Sequence, residues 1–138
     1  MKHVRVLVAD DNDDVLRDIR DLLEPEFDVI GTVGDGNSLV SAAEEFKPDV
    51  IIADISMPDL SGIEAAAKIL EINPDSRIVL LTAHNDSALV DEGMAVGALG
   101  YVIKLNAGED LARAINEAVR GRRFLSSVIR AGQAKPSA

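Results

Sequence analysis

Asp10, Asp11, Asp13 and Asp14 crowd into five positions at the end of the apolar run Val4–Ala9, interrupted only by Asn12. At about 4 Å and an effective dielectric of about 20, each pair of carboxylates costs roughly 4 kcal/mol. Such a cluster calls for a cation. Three further reactive side chains close other apolar runs: Asp54 follows "DVIIA", Thr82 ends "RIVLLT" and Lys104 ends "GYVIK". If those runs are strands of one parallel sheet, the side chains meet in the crevice beyond the strands' carboxyl ends. An oxygen-only ligand set with neither His nor Cys in it favours Mg²⁺ over zinc or copper. Mg²⁺ takes one or two carboxylates, keeps waters and bridges to phosphate oxygens. Lys104 suits a phosphoryl oxygen as a point charge, and Thr82 can donate a hydrogen bond to another. Asp54, ending the central strand, is placed as a carboxylate nucleophile.

The elements that must position these groups follow from patterning. Runs 4–9, 28–33, 49–53, 77–82 and 100–104 read as strands, and "VIIA" and "IVLL" are apolar throughout, as strands covered on both faces are. Amphipathic segments 14–24, 37–46, 61–72, 85–97 and 107–121 lie between and after them. Asn37 stands as an N-cap, and Ser61 with Glu64 forms a capping-box signature. Five strands alternating with five helices predict a single flavodoxin-like (βα)5 domain: a five-stranded parallel sheet with helices on both faces. The domain is expected over 1–124, with 125–138 a tail or linker start.

Composition narrows the function classes. The chain has 138 residues, 47% of them hydrophobic, enough for one domain with a real core. Its formal net charge of −10 argues against direct nucleic-acid binding. There is no cysteine, which suits a reducing cytoplasm. No apolar run approaches a membrane span, and the start "MKHVRVLVADD" is too short in apolar residues for a signal-peptide core.

Taken together, "VADDNDD", "PDVIIADISMPDLSGIEAAAKI", "IVLLTAH" and "ALGYVIK" resemble the receiver domain of two-component response regulators, over residues about 3–121. The end of the pattern, "GEDLARAINEAVRG" near "RFLSS", looks most like receivers of the helix-turn-helix subfamily of nitrate-response and nitrogen-fixation regulators. The resemblance implies a signalling domain rather than an enzyme. Asp54 would be the phosphoacceptor, Asp10 and Asp11 the acidic pair, and the Ser56 carbonyl a backbone metal ligand. Thr82 would be the switch hydroxyl, Lys104 the phosphate-contacting lysine and Tyr101 the aromatic switch. It further implies Mg²⁺, a sensor histidine kinase or phosphotransfer protein as donor, phosphorylation-dependent homodimerisation, a cytoplasmic location and control of transcription through a DNA-binding domain beyond the tail. One departure from the family pattern is Leu105, which replaces the proline many receivers carry after the lysine and disfavours a cis peptide there.

Blander readings stand beside these. Asp13 and Asp14 fit the positive end of a helix. Tyr101 is equally at home as a half-buried strand aromatic. His84, two residues after Thr82, reads as a solvated loop residue or as a modulator of phosphate lifetime. "DDNDDV" begins like a calcium loop, but Val15 replaces its glycine and Asp21 its final glutamate. "DNDDV" matches the D-x-D-x-V string of haloacid-dehalogenase phosphatases, making Mg²⁺-dependent phosphatase activity the alternative, yet Asp10 rather than Asp11 ends the strand. A receiver-like docking module that is never phosphorylated is the third reading.

Overall fold

Strands form where the apolar runs are longest and richest in β-branched residues. They are β1 (Arg5–Ala9), β2 (Asp28–Val33), β3 (Val50–Asp54), β4 (Ile78–Thr82) and β5 (Gly100–Ile103). The helices are α1 (Asp13–Leu23), α2 (Gly36–Phe46), α3 (Gly62–Ile72), α4 (Ser87–Val96) and α5 (Ala107–Val119). A two-residue strand, β6 (Phe124–Leu125), follows. The structure, a computed structural model, describes residues 3–83 and 87–126.

The strands pair in parallel in the order β2-β1-β3-β4-β5-β6. The chain steps outward from β1 to β2, then returns past β1 to β3. The carboxyl ends of β1 and β3 therefore flank the topological switch point. Every residue of β3, β4 and β5 is buried, and successive side chains feed opposite cores. Leu7, Ile51, Leu80 and Tyr101 pack with Leu39, Ile63, Ile69 and Val90 from α2, α3 and α4. Val6, Ile52, Val79 and Val102 pack with Ile19, Leu23, Leu111 and Ile115 from α1 and α5. Burying each such aliphatic side chain contributes about 1.5–3 kcal/mol, which holds the strand ends in register for the site.

Three local features differ from the sequence reading. Asp35, not Asn37, caps α2: its Oδ1 accepts from Ser38 N–H at 2.7 Å. Asn37 falls inside the first turn, because the preceding Asp already supplies the acceptor. Lys104 leaves the strand and opens a 3₁₀ turn, Lys104–Asn106, with every described peptide bond trans. β6 adds a sixth strand on the edge of β5, where Phe124 N–H donates to Leu99 O at 2.9 Å and Ser126 N–H to Tyr101 O at 3.0 Å. A two-residue strand carries no periodicity, so its sequence offered no signal. The Ser61–Glu64 capping box is present in both directions.

Candidate functional site at the carboxyl edge of the sheet

β1 delivers Asp10 to the crevice with no exposed surface, and β3 and β4 deliver Asp54 and Thr82, which are 3% and 4% exposed. Lys104, just past the end of β5, bridges Asp10 and Asp54. Its Nζ lies 2.8 Å from Asp10 Oδ2 and 3.1 Å from Asp54 Oδ2. The Asn12 N–H also donates to Asp10 Oδ1 at 3.0 Å. Asp11 is exposed, but one carboxylate oxygen from each of Asp10, Asp11 and Asp54 falls within 4.8 Å of the others.

The crowding of acids thus resolves into two groups. Asp10 and Asp11 face Asp54. Asp13 and Asp14 form the first turn of α1, below an Asn12 cap that accepts from the N–H groups of Asp14 and Val15. There they favour the positive end of the helix, and the Asp14–Arg17 contact at 3.6 Å is exposed.

The charges of the pocket oppose one another. Burial, together with the repulsion of Asp10, raises the Asp54 pKa above the ordinary carboxylate value, against the pull of Lys104 and an N–H bond from Ser56. Burial disfavours the Lys104 charge, but its hydrogen bonds to Asp10 and Asp54 outweigh that and raise its pKa above the usual lysine value. A raised carboxylate pKa means that the folded state holds its proton more tightly than the unfolded chain does. Stability from this source is full below the unfolded value of 3.8 and is lost as pH rises through the folded value. The metal-free Asp54→Asn protein should therefore melt about 3–5 °C above wild type at pH 7. That advantage should vanish below the unfolded carboxylate range, as thermal melts across pH would read.

An open crevice of about 460 Å³ lies against this cluster, lined by Asp54, Ser56, Met57, Thr82, Ala83 and Lys104 among others. It has room for a phosphoryl group above Asp54. The donor set beside it is all oxygen and carries more negative charge than one lysine balances, which fits a small hard cation.

The loop after β3 is held tightly, partly by residues the sequence reading passed over. Gly62 N–H donates to Ile55 O at 2.8 Å, and a Cβ on Gly62 would strike the Asp54 carbonyl oxygen. Gly62→Ala should shift the strand end that carries Asp54 and destabilise the fold by about 2–3 kcal/mol, measured as a lower denaturant midpoint. Asp59 sits at φ 64° and accepts from Gly36 N–H at 3.0 Å and Asn37 Nδ2 at 2.8 Å, tying the loop to the start of α2. The signal was the Pro58-Asp59 turn pair, since Asp tolerates the left-handed region.

Tyr101 is completely buried, and a Cβ on Gly93 of α4 would lie 3.3 Å from its ring. Val90 of α4 is core, and Leu89 and Met94 are partly buried against that core. His84 lies outside the described residues.

A (βα)5 sheet whose central strand ends in an acid, flanked by an acidic pair and a lysine, is the flavodoxin-like receiver fold. The sequence profile "Response regulator receiver domain" matches residues 6–116, and the chain belongs to that family. It is 39% identical over 127 residues to the "Uncharacterized transcriptional regulatory protein YxjL" of Bacillus subtilis, covering 91% of this chain and 58% of that protein. A two-component response regulator of the LuxR family from Aurantimonas sp. SI85-9A1 superposes with a TM-score of 0.90 at 30% identity, covering 94% of each chain. RcsB, in a structure of two dimers bound to two parallel DNAs, superposes with a TM-score of 0.85 at 28% identity, covering 94% of this chain and 67% of that one. This chain is thus the receiver domain of a two-component response regulator, a signalling module whose relatives are transcription regulators. It spans about three fifths of the length of YxjL. No described helix is long and apolar enough to cross a membrane.

Proposed function

We propose that this receiver accepts a phosphoryl group on Asp54 from the phosphohistidine of a sensor kinase or phosphotransfer protein in the cytoplasm. The observation that carries the reading is the convergence of Asp54 and Lys104, 3.1 Å apart, on an open crevice also lined by Thr82. An Asp54 carboxylate oxygen attacks phosphorus, the P–N bond breaks, and the donor ring, already protonated on its other nitrogen, takes the bonding pair and leaves as neutral imidazole. Asp10, Asp11, Asp54 and the Ser56 carbonyl would hold Mg²⁺, which when bound screens the negative charge of acceptor and phosphoryl group from each other. Lys104 then exchanges a carboxylate oxygen for a phosphoryl oxygen, and Thr82 donates to another. Burial and the repulsion of Asp10, which raise the Asp54 pKa, support a site that gains by acquiring a cation.

Asp11 is exposed and lies beyond the strand end, so nothing favours the phosphatase reading in which it would be the nucleophile. The output reading is a switched surface that pairs two receivers and brings together two DNA-binding domains supplied by a longer chain, as the RcsB dimers on DNA suggest by similarity. Moving such a switch from about 1:99 to 99:1 takes roughly 5.5 kcal/mol of differential stabilisation. Charge-assisted bonds from Lys104 and Thr82 with a metal contact are of that order. With Mg²⁺ and beryllofluoride the protein should shift from monomer toward dimer in sedimentation velocity. An unchanged sedimentation coefficient, with beryllofluoride occupancy confirmed, removes dimerisation as the output.

A further inference from the structure

The end of the described chain is bonded to the backbone of the site. After α5 the chain turns at Gly121, whose φ is 73°, and returns along the outer edge of β5 as β6. β6 runs parallel to β5, so it carries the chain toward the carboxyl edge of the sheet, where Asp54 lies. Its last bonds are made by Ser126, which has no exposed surface. The Ser126 N–H donates to Tyr101 O at 3.0 Å. The Ser126 Oγ accepts from Ile103 N–H at 3.1 Å, and both groups are buried.

Ile103 immediately precedes Lys104, the residue that bridges Asp10 and Asp54. An edge-strand N–H at this point needs an acceptor. A side-chain hydroxyl supplies it, so the rung that pins the base of Lys104 depends on a hydroxyl at position 126.

We propose that Ser126 is a positioning residue for Lys104, its hydroxyl coupled through the Ile103 N–H to the occupancy of Asp54. This rests on the phosphoacceptor reading of Asp54. In the metal-free state Lys104 is held by two carboxylates; with a phosphoryl group present it must share itself with that group. The backbone of Ile103 and Lys104 adjusts, and the Ser126 rung tightens or loosens with it. By linkage, a change at Ser126 returns to the site as a change in affinity for the phosphoryl group.

The test uses the whole 138-residue chain with Mg²⁺ and beryllofluoride. Amide hydrogen exchange is followed at Ile103, Phe124 and Ser126, and beryllofluoride affinity is measured for wild type, Ser126→Ala and Ser126→Thr. In wild type, saturating beryllofluoride should change exchange at these three amides by about five-fold or more. Ser126→Ala should weaken beryllofluoride binding by about five-fold while Mg²⁺ affinity stays within about two-fold, and Ser126→Thr, which keeps the hydroxyl, should restore most of the loss. A hydroxyl with a purely structural role would lower the melting temperature of Ser126→Ala and leave beryllofluoride affinity unchanged; that result overturns the proposal. Unchanged exchange at the three amides with Asp54 occupied overturns it too. Failure of wild type to bind beryllofluoride at all would instead strike the phosphoacceptor reading, and the coupling with it.

Discussion

Replacing Lys104 with methionine should lower the melting temperature of the metal-free protein by about 5–10 °C at pH 7. The methionine keeps the length and apolar bulk of the stem, so the loss reports the ammonium. Without it Asp10, which has no exposed surface, and Asp54, 3% exposed, face each other with no cation between them. Breaking one partner out of a buried ion pair costs about 3–5 kcal/mol, and about 2–3 is expected here because the crevice is open to water on one side. The pH dependence has a definite sign. The Lys104 pKa is raised, so its contribution is whole below the usual lysine value of 10.5 and disappears as pH rises through the folded value. The gap between wild type and Lys104→Met should therefore close at strongly alkaline pH. Millimolar Mg²⁺ should return part of the lost stability at pH 7, because a cation held by the same acids replaces the ammonium. Equal melting temperatures for the two proteins without metal would mean that the lysine contacts contribute nothing.

How legible the molecule was depended on how much of each feature is local. The strands β1 to β5 were legible because a parallel sheet buries both faces, which writes runs such as "VIIA" and "IVLL" directly into the chain. The topology followed from alternation, and the site from asking what stood at each strand end. The Ser61–Glu64 box was readable because both partners lie three residues apart. The α2 cap was misassigned by two residues because Asp35 and Asn37 are both capable caps, and only the entry angle of the chain chooses between them. The burial of Tyr101 depends on Gly93, eight residues away on α4, and on space that no local pattern reports. Asp59 and Ser126 were missed for the same reason. Their partners, Gly36 and Ile103, lie 23 residues distant in sequence in both cases.

The largest effect of all is expected at Asp54. It is the one acid that ends the central strand, lines the crevice and contacts Lys104. Asp10 lies buried behind that contact with one oxygen committed to the Asn12 N–H, and Asp11 is exposed at the rim. Neither lines the crevice as Asp54 does. On the proposed mechanism, removing the Asp54 carboxylate removes the nucleophile, so the loss of phosphorylation should be complete rather than graded. Chelation of Mg²⁺ should suppress the same reaction in the unaltered protein. The direct measurement is intact-mass analysis after incubation with a small phosphodonor and Mg²⁺. One phosphoryl adduct is expected on wild type and none on Asp54→Ala; an undiminished adduct on Asp54→Ala, or one that maps to Asp11, would overturn the assignment of Asp54.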